Sequence, residues 1–161
     1  MRFPSMSRIR QRFDAPAPID PIEAVRGELR KLPLASQIRS GDTVAITVGS
    51  RGIANIAPII KTLVEELKSK GAKPFVVPSM GSHGGATAEG QQAIVESYGV
   101  TEEYLGVPIK ATMEVVKVGS IEDSIPIYFD KYAYEADHVA VAGRIKPHTD
   151  FSGDIESGLC K

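Results

Sequence analysis

The sequence predicts an α/β fold: an open, mostly parallel, Rossmann-like sheet flanked by helices and preceded by a short arm. Runs of apolar and β-branched residues at 43–48, 74–78 and 138–143 have the length of strands and almost no polar alternation. Such runs are typical of strands that are buried on both faces of a parallel sheet. Segments with helical spacing lie between the runs, and this alternation of strand and helix is the pattern of an open α/β sheet.

The chain is expected to divide into an N-terminal arm with a Pro-rich linker, residues 1–19, and one α/β domain, residues 20–161. The arm is rich in arginine and has no acidic residue before Asp14. Such a start can be a mitochondrial transit peptide, but Pro4 disfavours the helix that a transit peptide needs. We therefore expect an arm that packs on its own domain or on a partner domain.

Helical spacing of apolar residues, together with end signals, predicts three helices, at 20–31, 56–71 and 87–99. Asp20 and Thr87 can accept hydrogen bonds from backbone N–H groups of a first helical turn. The second and third of these ranges end in glycine, which suits the left-handed conformation that follows a helix. These signals predict one helix before the first strand, one between the first two strands, and one after the second.

The remaining strands follow in the second half of the chain. The segments at 113–118 and 125–129 are predicted to be strands that can pair with each other. A further buried strand is expected at 138–143. The strand, helix and strand over 43–78 form one unit, and its crossover is expected to be right-handed.

Composition narrows the possible partners. The chain has 161 residues with a formal net charge of −1, so it lacks the basic excess of a duplex-binding protein and no nucleic-acid partner is expected. No apolar run approaches the roughly 18 residues that span a bilayer, so no membrane partner is expected. The one cysteine, Cys160, cannot form an internal disulfide, which suits a cytoplasmic location.

Three predicted strands end in polar, Gly-rich segments: GSRG at 49–52, MGSHGG at 80–85 and GRIKPHTDFSG at 143–153. In an open α/β sheet, ligands bind outside the carboxyl ends of the strands. We therefore expect these segments to gather at one edge of the sheet. The polar side chains that they would bring together are Arg51, Ser82, His83, Arg144, Lys146, His148 and Asp150.

These residue types suit acid–base chemistry on an anionic substrate. The Arg51 guanidinium can hold a carboxylate or a phosphate through two parallel hydrogen bonds. His83 lies among glycines, which let a ligand approach the backbone closely. An imidazole exchanges protons near neutral pH, so His83 and His148 could act as base and acid on one substrate. The third histidine, His138, begins a strand and is expected to be structural.

Other interpretations of the same segments stay open. Gly84, Gly85 and the helix start at Thr87 could cradle a phosphate, which would make the chain a non-enzymatic nucleotide-binding or phosphate-binding domain. The segment is nevertheless not a P-loop, because G-x-x-x-x-G-K-[ST] does not occur in the chain. Arg51 could be a solvated surface residue, and the chain could be a purely structural or oligomerisation fragment without a ligand.

The order of the three segments resembles the N-terminal domain of the nickel-dependent lactate racemase family, including its 2-hydroxy-acid racemase and epimerase homologues. The segments that carry the resemblance are GSRG (49–52), MGSHGGAT (80–87) and KPHTDFSGDIESGLCK (146–161). The resemblance covers roughly residues 40–161. It implies the same α/β fold and an isomerase that acts on a 2-hydroxy acid.

The resemblance also implies residue roles. His83 and His148 would lie on either side of the substrate as the catalytic histidines, and Arg51 would hold the substrate carboxylate. Lys161 would carry a covalently attached nickel-pincer nucleotide, and no metal-ligating residue is predicted in this chain. The further candidate contacts are Ser50, Ser82 and Lys146 for the substrate, and Gly84, Gly85 and Thr87 for the cofactor.

The implied reaction moves the substrate hydrogen as hydride to the cofactor while one histidine takes the hydroxyl proton. Members of the family are longer, so the chain is expected to be a fragment of a two-domain protein that is inactive without its C-terminal domain. Val48 stands where the lactate enzyme has an acid, so a larger hydroxy acid such as a sugar acid is as plausible a substrate as lactate. A homo-oligomer is also possible.

Overall fold

A computed structural model describes residues 6–14, 17–122, 124–144 and 152–154. Within these ranges the chain forms helices, strands and one 3₁₀ turn at Gly84–Ala86. The helices are α1 (Pro21–Lys31), α2 (Leu34–Gln37), α3 (Ile56–Ser69), α4 (Ala88–Ser97), α5 (Glu102–Leu105) and α6 (Lys131–Tyr134). The strands are β1 (Thr43–Val48), β2 (Lys73–Pro78), β3 (Val115–Ile121), β4 (Ile125–Asp130) and β5 (His138–Ala140).

The main sheet is parallel and open, which confirms the predicted fold class. Its strand order is β2-β1-β5, so β1 lies at the centre. Val44 is paired with Pro74 of β2 on one side and with His138 of β5 on the other. One further residue extends the sheet beyond β2, where Ile109 forms an isolated parallel bridge with Val76.

The hydrophobic core lies on both faces of β1 and β2, as their unbroken apolar sequences predict. On one face, Ile46 and Val76 pack with residues of α3, α4 and α5, and both are fully buried. Full burial of side chains of this size stabilises the fold by about 1.5–3 kcal/mol each. On the other face, Phe75 and Val77 pack with Ala133 of α6.

The prediction of a buried strand at 138–143 is wrong in extent and in burial. β5 spans only three residues, and Val139 and Val141 are 38% and 55% exposed. β5 has a single neighbour among the described strands, β1, and neither Val139 nor Val141 belongs to a hydrophobic cluster of the described residues. An apolar run is therefore not enough to predict burial, because burial also depends on whether another element packs on the strand.

The helix boundaries agree with the predicted caps. The Asp20 carboxylate accepts hydrogen bonds from the N–H groups of Ile22 and Glu23, and the Thr87 hydroxyl accepts one from Gly90. Gly71 has a φ of +83°, the left-handed conformation expected after α3. α1 then packs on α3, where Arg26 lies within 3.6 Å of Glu65 and 3.5 Å of Glu66.

The predicted pairing of the later strands is confirmed, but they form a sheet of their own. β3 and β4 are antiparallel, with an irregular register between Lys117 and Gly119. An isolated two-stranded sheet is only marginally stable, and this one is joined to the main body through α6, which follows β4 directly. Many of its apolar side chains are exposed, namely Val115, Val118, Ile121, Ile125, Ile127, Tyr128 and Phe129.

The described part of the arm, residues 6–14 and 17–19, contains neither helix nor strand. Met6, Ile9 and Phe13 are each more than three-quarters exposed, so these apolar side chains do not pack on the α/β domain. Among the described residues, no helix has both the length and the apolar character needed to cross a bilayer.

Candidate active site

The segments that follow β1, β2 and β5 come together at the carboxyl edge of the sheet. The Ser79 N–H donates to the carbonyl oxygen of Val48 at 2.8 Å, which joins the bases of the first two loops. Arg144 Nη1 donates to the carbonyl oxygen of Gly52 at 3.2 Å and ties the third segment to the first. The predicted convergence is therefore confirmed as far along the third segment as Arg144.

The loop at 49–52 follows the central strand and leads into α3. Ser50 is half-buried, and its carbonyl oxygen accepts a hydrogen bond from the Tyr98 hydroxyl at 2.6 Å. Arg51 is exposed, and its guanidinium makes no hydrogen bond or ion pair with any described residue. It is thus free to bind an anionic ligand at this edge.

The start of α3 contributes less to an anion site than its position suggests. The Ile56 N–H already donates to the carbonyl oxygen of Ile53, and Pro58 at the third helical position has no N–H. Asn55, which precedes the helix, has a φ of 62° and its side chain does not cap the helix. Most of the binding of an anion near Arg51 therefore has to come from the guanidinium itself.

The loop at 80–85 follows β2 and carries His83. The His83 side chain is exposed and, among the described residues, has no hydrogen-bonding partner. Gly81 and Gly85 have φ values of +64° and +69°, and a Cβ built on either would meet nothing within 4 Å. The backbone on both sides of His83 is therefore open to the close approach of a ligand.

Gly84 and Thr87 are used to hold this loop against α4. A Cβ at Gly84 would lie 2.5 Å from the carbonyl carbon of Gly90. The Thr87 hydroxyl donates to the carbonyl oxygen of Gly84 at 3.1 Å and accepts from the Gly90 N–H at 3.1 Å. The phosphate-binding alternative relied on this helix start. There, the Thr87 hydroxyl already donates one hydrogen bond and accepts another within the protein.

Comparison with known protein families identifies the domain. A family model described as the lactate racemase N-terminal domain matches residues 8–153. The chain belongs to the lactate racemase family. The match confirms the resemblance noted in the sequence and begins within the predicted arm. Neither a curated protein sequence nor a solved structure gave a significant match.

Four residues to which the lactate racemase resemblance or the loop argument gives a role lie outside the described residues. They are Lys146, His148, Asp150 and Lys161. Their assignments therefore stay predictions. The structure describes the other predicted site residues: Ser50 and Arg51 follow β1, and Ser82, His83, Gly84, Gly85 and Thr87 follow β2.

Sequence reasoning missed two residues that contact these loops. From helical spacing alone, Tyr98 is predicted only to share an apolar stripe with Ile94 and Val95, yet its hydroxyl bonds to the Ser50 carbonyl oxygen while its ring packs on the core. Gln91 is only 6% exposed, and its amide donates to the carbonyl oxygen of Gly81 at 2.6 Å. A polar residue on the buried face of a predicted helix was the one signal in the sequence that could have revealed Gln91.

The third histidine lies far from this site, as its predicted structural role requires. His138 begins β5 at the amino edge of the sheet, and its Nε2 atom is 2.9 Å from Asp42 Oδ2. The backbone N–H of Arg39 and then the His138 side chain lower the pKa of Asp42. No group of three or more His, Cys, Asp or Glu side chains that could hold a metal ion occurs among the described residues.

Proposed function

We propose that this domain supplies the substrate-binding and proton-transferring residues of a 2-hydroxy-acid racemase or epimerase. The observation that carries the proposal is the placement of Arg51 and His83 after adjacent parallel strands. Both side chains are exposed at the carboxyl edge, and neither is bonded to a described residue. Membership of the lactate racemase family supports the same assignment.

Arg51 would bind the substrate carboxylate. A guanidinium offers two parallel N–H donors whose geometry matches the two oxygens of a carboxylate. Because Ile56 uses its N–H inside the protein and Pro58 has none, the guanidinium would dominate this interaction. Ser50, Ser82 and Lys146 would add polar contacts, and the side chain of Ser82 is exposed beside His83.

His83 would take the proton of the substrate hydroxyl. A neutral imidazole nitrogen accepts a proton readily near pH 7, and the exposed side chain can reach a ligand bound at this edge. His148 would serve the opposite enantiomer in the same way. The hydroxyl proton would move to one histidine while the hydrogen on the same carbon would leave as hydride to the bound cofactor, which would give a planar 2-keto acid. Return of the hydride to the opposite face of the carbonyl carbon, and of a proton to the carbonyl oxygen, would invert the centre without a net oxidant or reductant.

The family's nickel-pincer nucleotide is compatible with the described part of the site. Gly81 and Gly85 leave free space where other residues would carry a Cβ, and His83 offers a nitrogen between them. When bound, the cofactor supplies the hydride acceptor that amino-acid side chains lack. Lys161 would hold it, whereas the described residues bind the carboxylate, orient the hydroxyl and move its proton.

The test is a pair of variants in the protein at its natural length, produced together with the enzymes that make the cofactor. A single enantiomer of each candidate acid is supplied, including lactate and sugar acids, and the appearance of its stereoisomer is followed by chiral chromatography. His83→Ala is expected to slow the reaction at least about a hundredfold, because loss of general acid–base catalysis costs at least that much. Lys117→Ala, at an exposed position of β3, is the control. Unchanged racemisation by the His83→Ala variant would overturn the proposal.

A further inference from the structure

One helix contacts both loops of the candidate site, one near each of its ends. Gln91, in the first half of α4, donates from its amide to the carbonyl oxygen of Gly81 at 2.6 Å. Tyr98, which ends α4, donates from its hydroxyl to the carbonyl oxygen of Ser50, also at 2.6 Å. The two acceptors lie close in sequence to the functional side chains, since Ser50 directly precedes Arg51.

The two donors and a core residue form one stripe of the helix. Gln91, Val95 and Tyr98 are spaced at i, i+4 and i+7, which places them on the same face. Val95 is fully buried and Gln91 is 6% exposed, so the middle of this face is anchored in the core. The helix therefore cannot shift easily relative to the sheet, and its two polar groups are presented from a rigid support.

Few other side chains of the described residues donate hydrogen bonds to the backbone of these two loops. In the described residues, the side-chain hydrogen bonds to the backbone of 49–52 come from Tyr98 and Arg144. Those to the backbone of 80–85 come from Gln91 and Thr87. Both loops contain glycines, which have wide backbone freedom when nothing restrains them.

We propose that α4 fixes the Arg51 loop relative to the His83 loop, and that Tyr98 and Gln91 are positioning residues of this site. The expected effect on catalysis rests on the proposed function, whereas the role of α4 in holding the two loops does not. Tyr98 acts through the peptide that precedes Arg51 and thus governs binding of the carboxylate. Gln91 acts through the peptide at Gly81 and thus governs the placement of His83 for proton transfer.

The kinetic test uses substitutions that remove one polar group and keep most of the volume. Tyr98→Phe is expected to raise KM about fivefold with kcat little changed, and Gln91→Met to lower kcat about tenfold with KM little changed. The controls are Tyr104→Phe, at an exposed tyrosine of α5, and Gln92→Met, whose amide donates to the Glu96 carboxylate at the surface. Both controls are expected to keep wild-type constants.

A second measurement does not depend on activity. Amide hydrogen exchange is followed in wild type and in each variant of the full chain, with thermal unfolding as a check of folding. Tyr98→Phe is expected to speed exchange about fivefold in 49–52 only, and Gln91→Met to do so in 80–85 only. Exchange equal to that of the matched controls in both loops overturns the inference.

The two tests separate this inference from the proposed function. If His83→Ala abolishes racemisation while the Tyr98 and Gln91 variants match their controls in kinetics and exchange, α4 does not position the site and the function stands. If exchange changes as expected but no hydroxy acid is racemised, the proposed function fails and the structural coupling stands. A uniform rise in exchange over the whole domain would show general destabilisation and would count against the inference.

Discussion

The two edges of the parallel sheet use their polar side chains in opposite ways. At the amino edge, Thr43 donates from its N–H and its hydroxyl to Asp137, and His138 lies against Asp42. At the carboxyl edge, the described side chains of Arg51 and His83 have no such partners. The loops there are held instead through their backbone carbonyl oxygens. The comparison indicates that the polar side chains at the amino edge serve stability, whereas those of Arg51 and His83 at the carboxyl edge stay accessible.

The same contrast explains how a Gly-rich edge can have a restrained backbone and still present unbonded side chains. Hydrogen bonds from Tyr98 and Gln91 restrain the loop backbone without using the side chains of Arg51 and His83. Backbone carbonyls are obligatory acceptors that need partners when they are shielded from water, so these bonds satisfy the chain and position it at once. The side chains of Arg51 and His83 make no bond to a described residue.

The largest effect is expected from removal of the exposed Arg51 guanidinium at the carboxyl edge. Arg51→Ala should lower kcat/KM about a hundredfold, because a charged hydrogen-bonding partner of the substrate carboxylate is lost. Arg51→Lys should recover only part of this loss, since an ammonium group lacks the paired geometry of a guanidinium. The measurement is racemisation of a single enantiomer by the cofactor-loaded protein.

The control for this substitution is Arg30→Ala, at an exposed arginine in the last turn of α1. Thermal unfolding should be nearly unchanged in both alanine variants, because Arg51 makes no bond to a described residue. A marked loss of stability in Arg51→Ala would show that its side chain belongs to the fold, and the comparison of the two edges would then fail.

The second effect concerns two glycines of the same loop that differ in their surroundings. Gly84→Ala combines a φ of +66° with a Cβ that would lie 2.5 Å from the backbone of Gly90, so it should destabilise the protein by about 2–4 kcal/mol. Gly81→Ala has a similar φ of +64° in open space and should cost only about 1 kcal/mol. Urea unfolding of the two variants isolates the contribution of the contact with α4.

Equal losses for the two variants would mean that the loop does not pack on α4 as described. The pair also bears on the phosphate-binding alternative. Because bulk at Gly84 disturbs the fold, loss of phosphate binding in a Gly84 variant would carry no information about a ligand. Gly85→Ala, whose Cβ would meet nothing within 4 Å, is the appropriate probe of a phosphate cradle.

The local elements were largely predictable because their signals lie within a few residues of each other. The run at 43–48 forms β1 with the expected bounds, and the caps at Asp20 and Thr87 are made as predicted. The parallel orientation of the strands follows from the alternation of strands and helices, and it brings Arg51 and His83 to one edge because β1 and β2 are neighbours. This part of the site needed only local patterns and one topological rule.

The remainder depended on contacts between distant residues, which a single sequence does not display. The exposure of Val139 depends on which element covers one face of β5, and its residue type is the same in either case. The Tyr98 hydroxyl reaches a carbonyl oxygen 48 residues earlier, although its ring fits the apolar stripe that was predicted. For the same reason, the bonds of Thr43 with Asp137 across 94 residues could not be foreseen.

A third, smaller effect compares a hydroxyl group at each edge. Thr43→Val removes a hydroxyl that donates to Asp137 Oδ2 at 2.7 Å and accepts from the Asp137 N–H at 3.1 Å, so the urea midpoint should fall. Ser82→Ala removes an exposed hydroxyl without a described partner, so stability should stay within about 0.5 kcal/mol of wild type. A destabilised Ser82→Ala variant would remove the distinction between the edges.

The smallest effect is the pH dependence of the amino edge. The Thr43 N–H and then the Thr43 hydroxyl lower the pKa of Asp137, and the pKa of Asp42 is lowered as well. A carboxyl group whose pKa is lower in the folded than in the unfolded state stabilises the fold above its unfolded pKa. That stabilisation is lost as the pH falls from about 4 through the folded pKa, because the carboxylates become protonated.

The free energy of unfolding, measured in urea between pH 6 and pH 3, should therefore decrease toward acid in wild type. In Asp137→Asn the decrease should be shallower and should start from a lower stability at pH 6, because the variant has no carboxylate to protonate at that position. Glu103→Gln, at an exposed position of α5, should keep the wild-type slope. If Asp137→Asn also kept that slope, the carboxylate would not stabilise the amino edge, and the difference between the edges would have to come from packing alone.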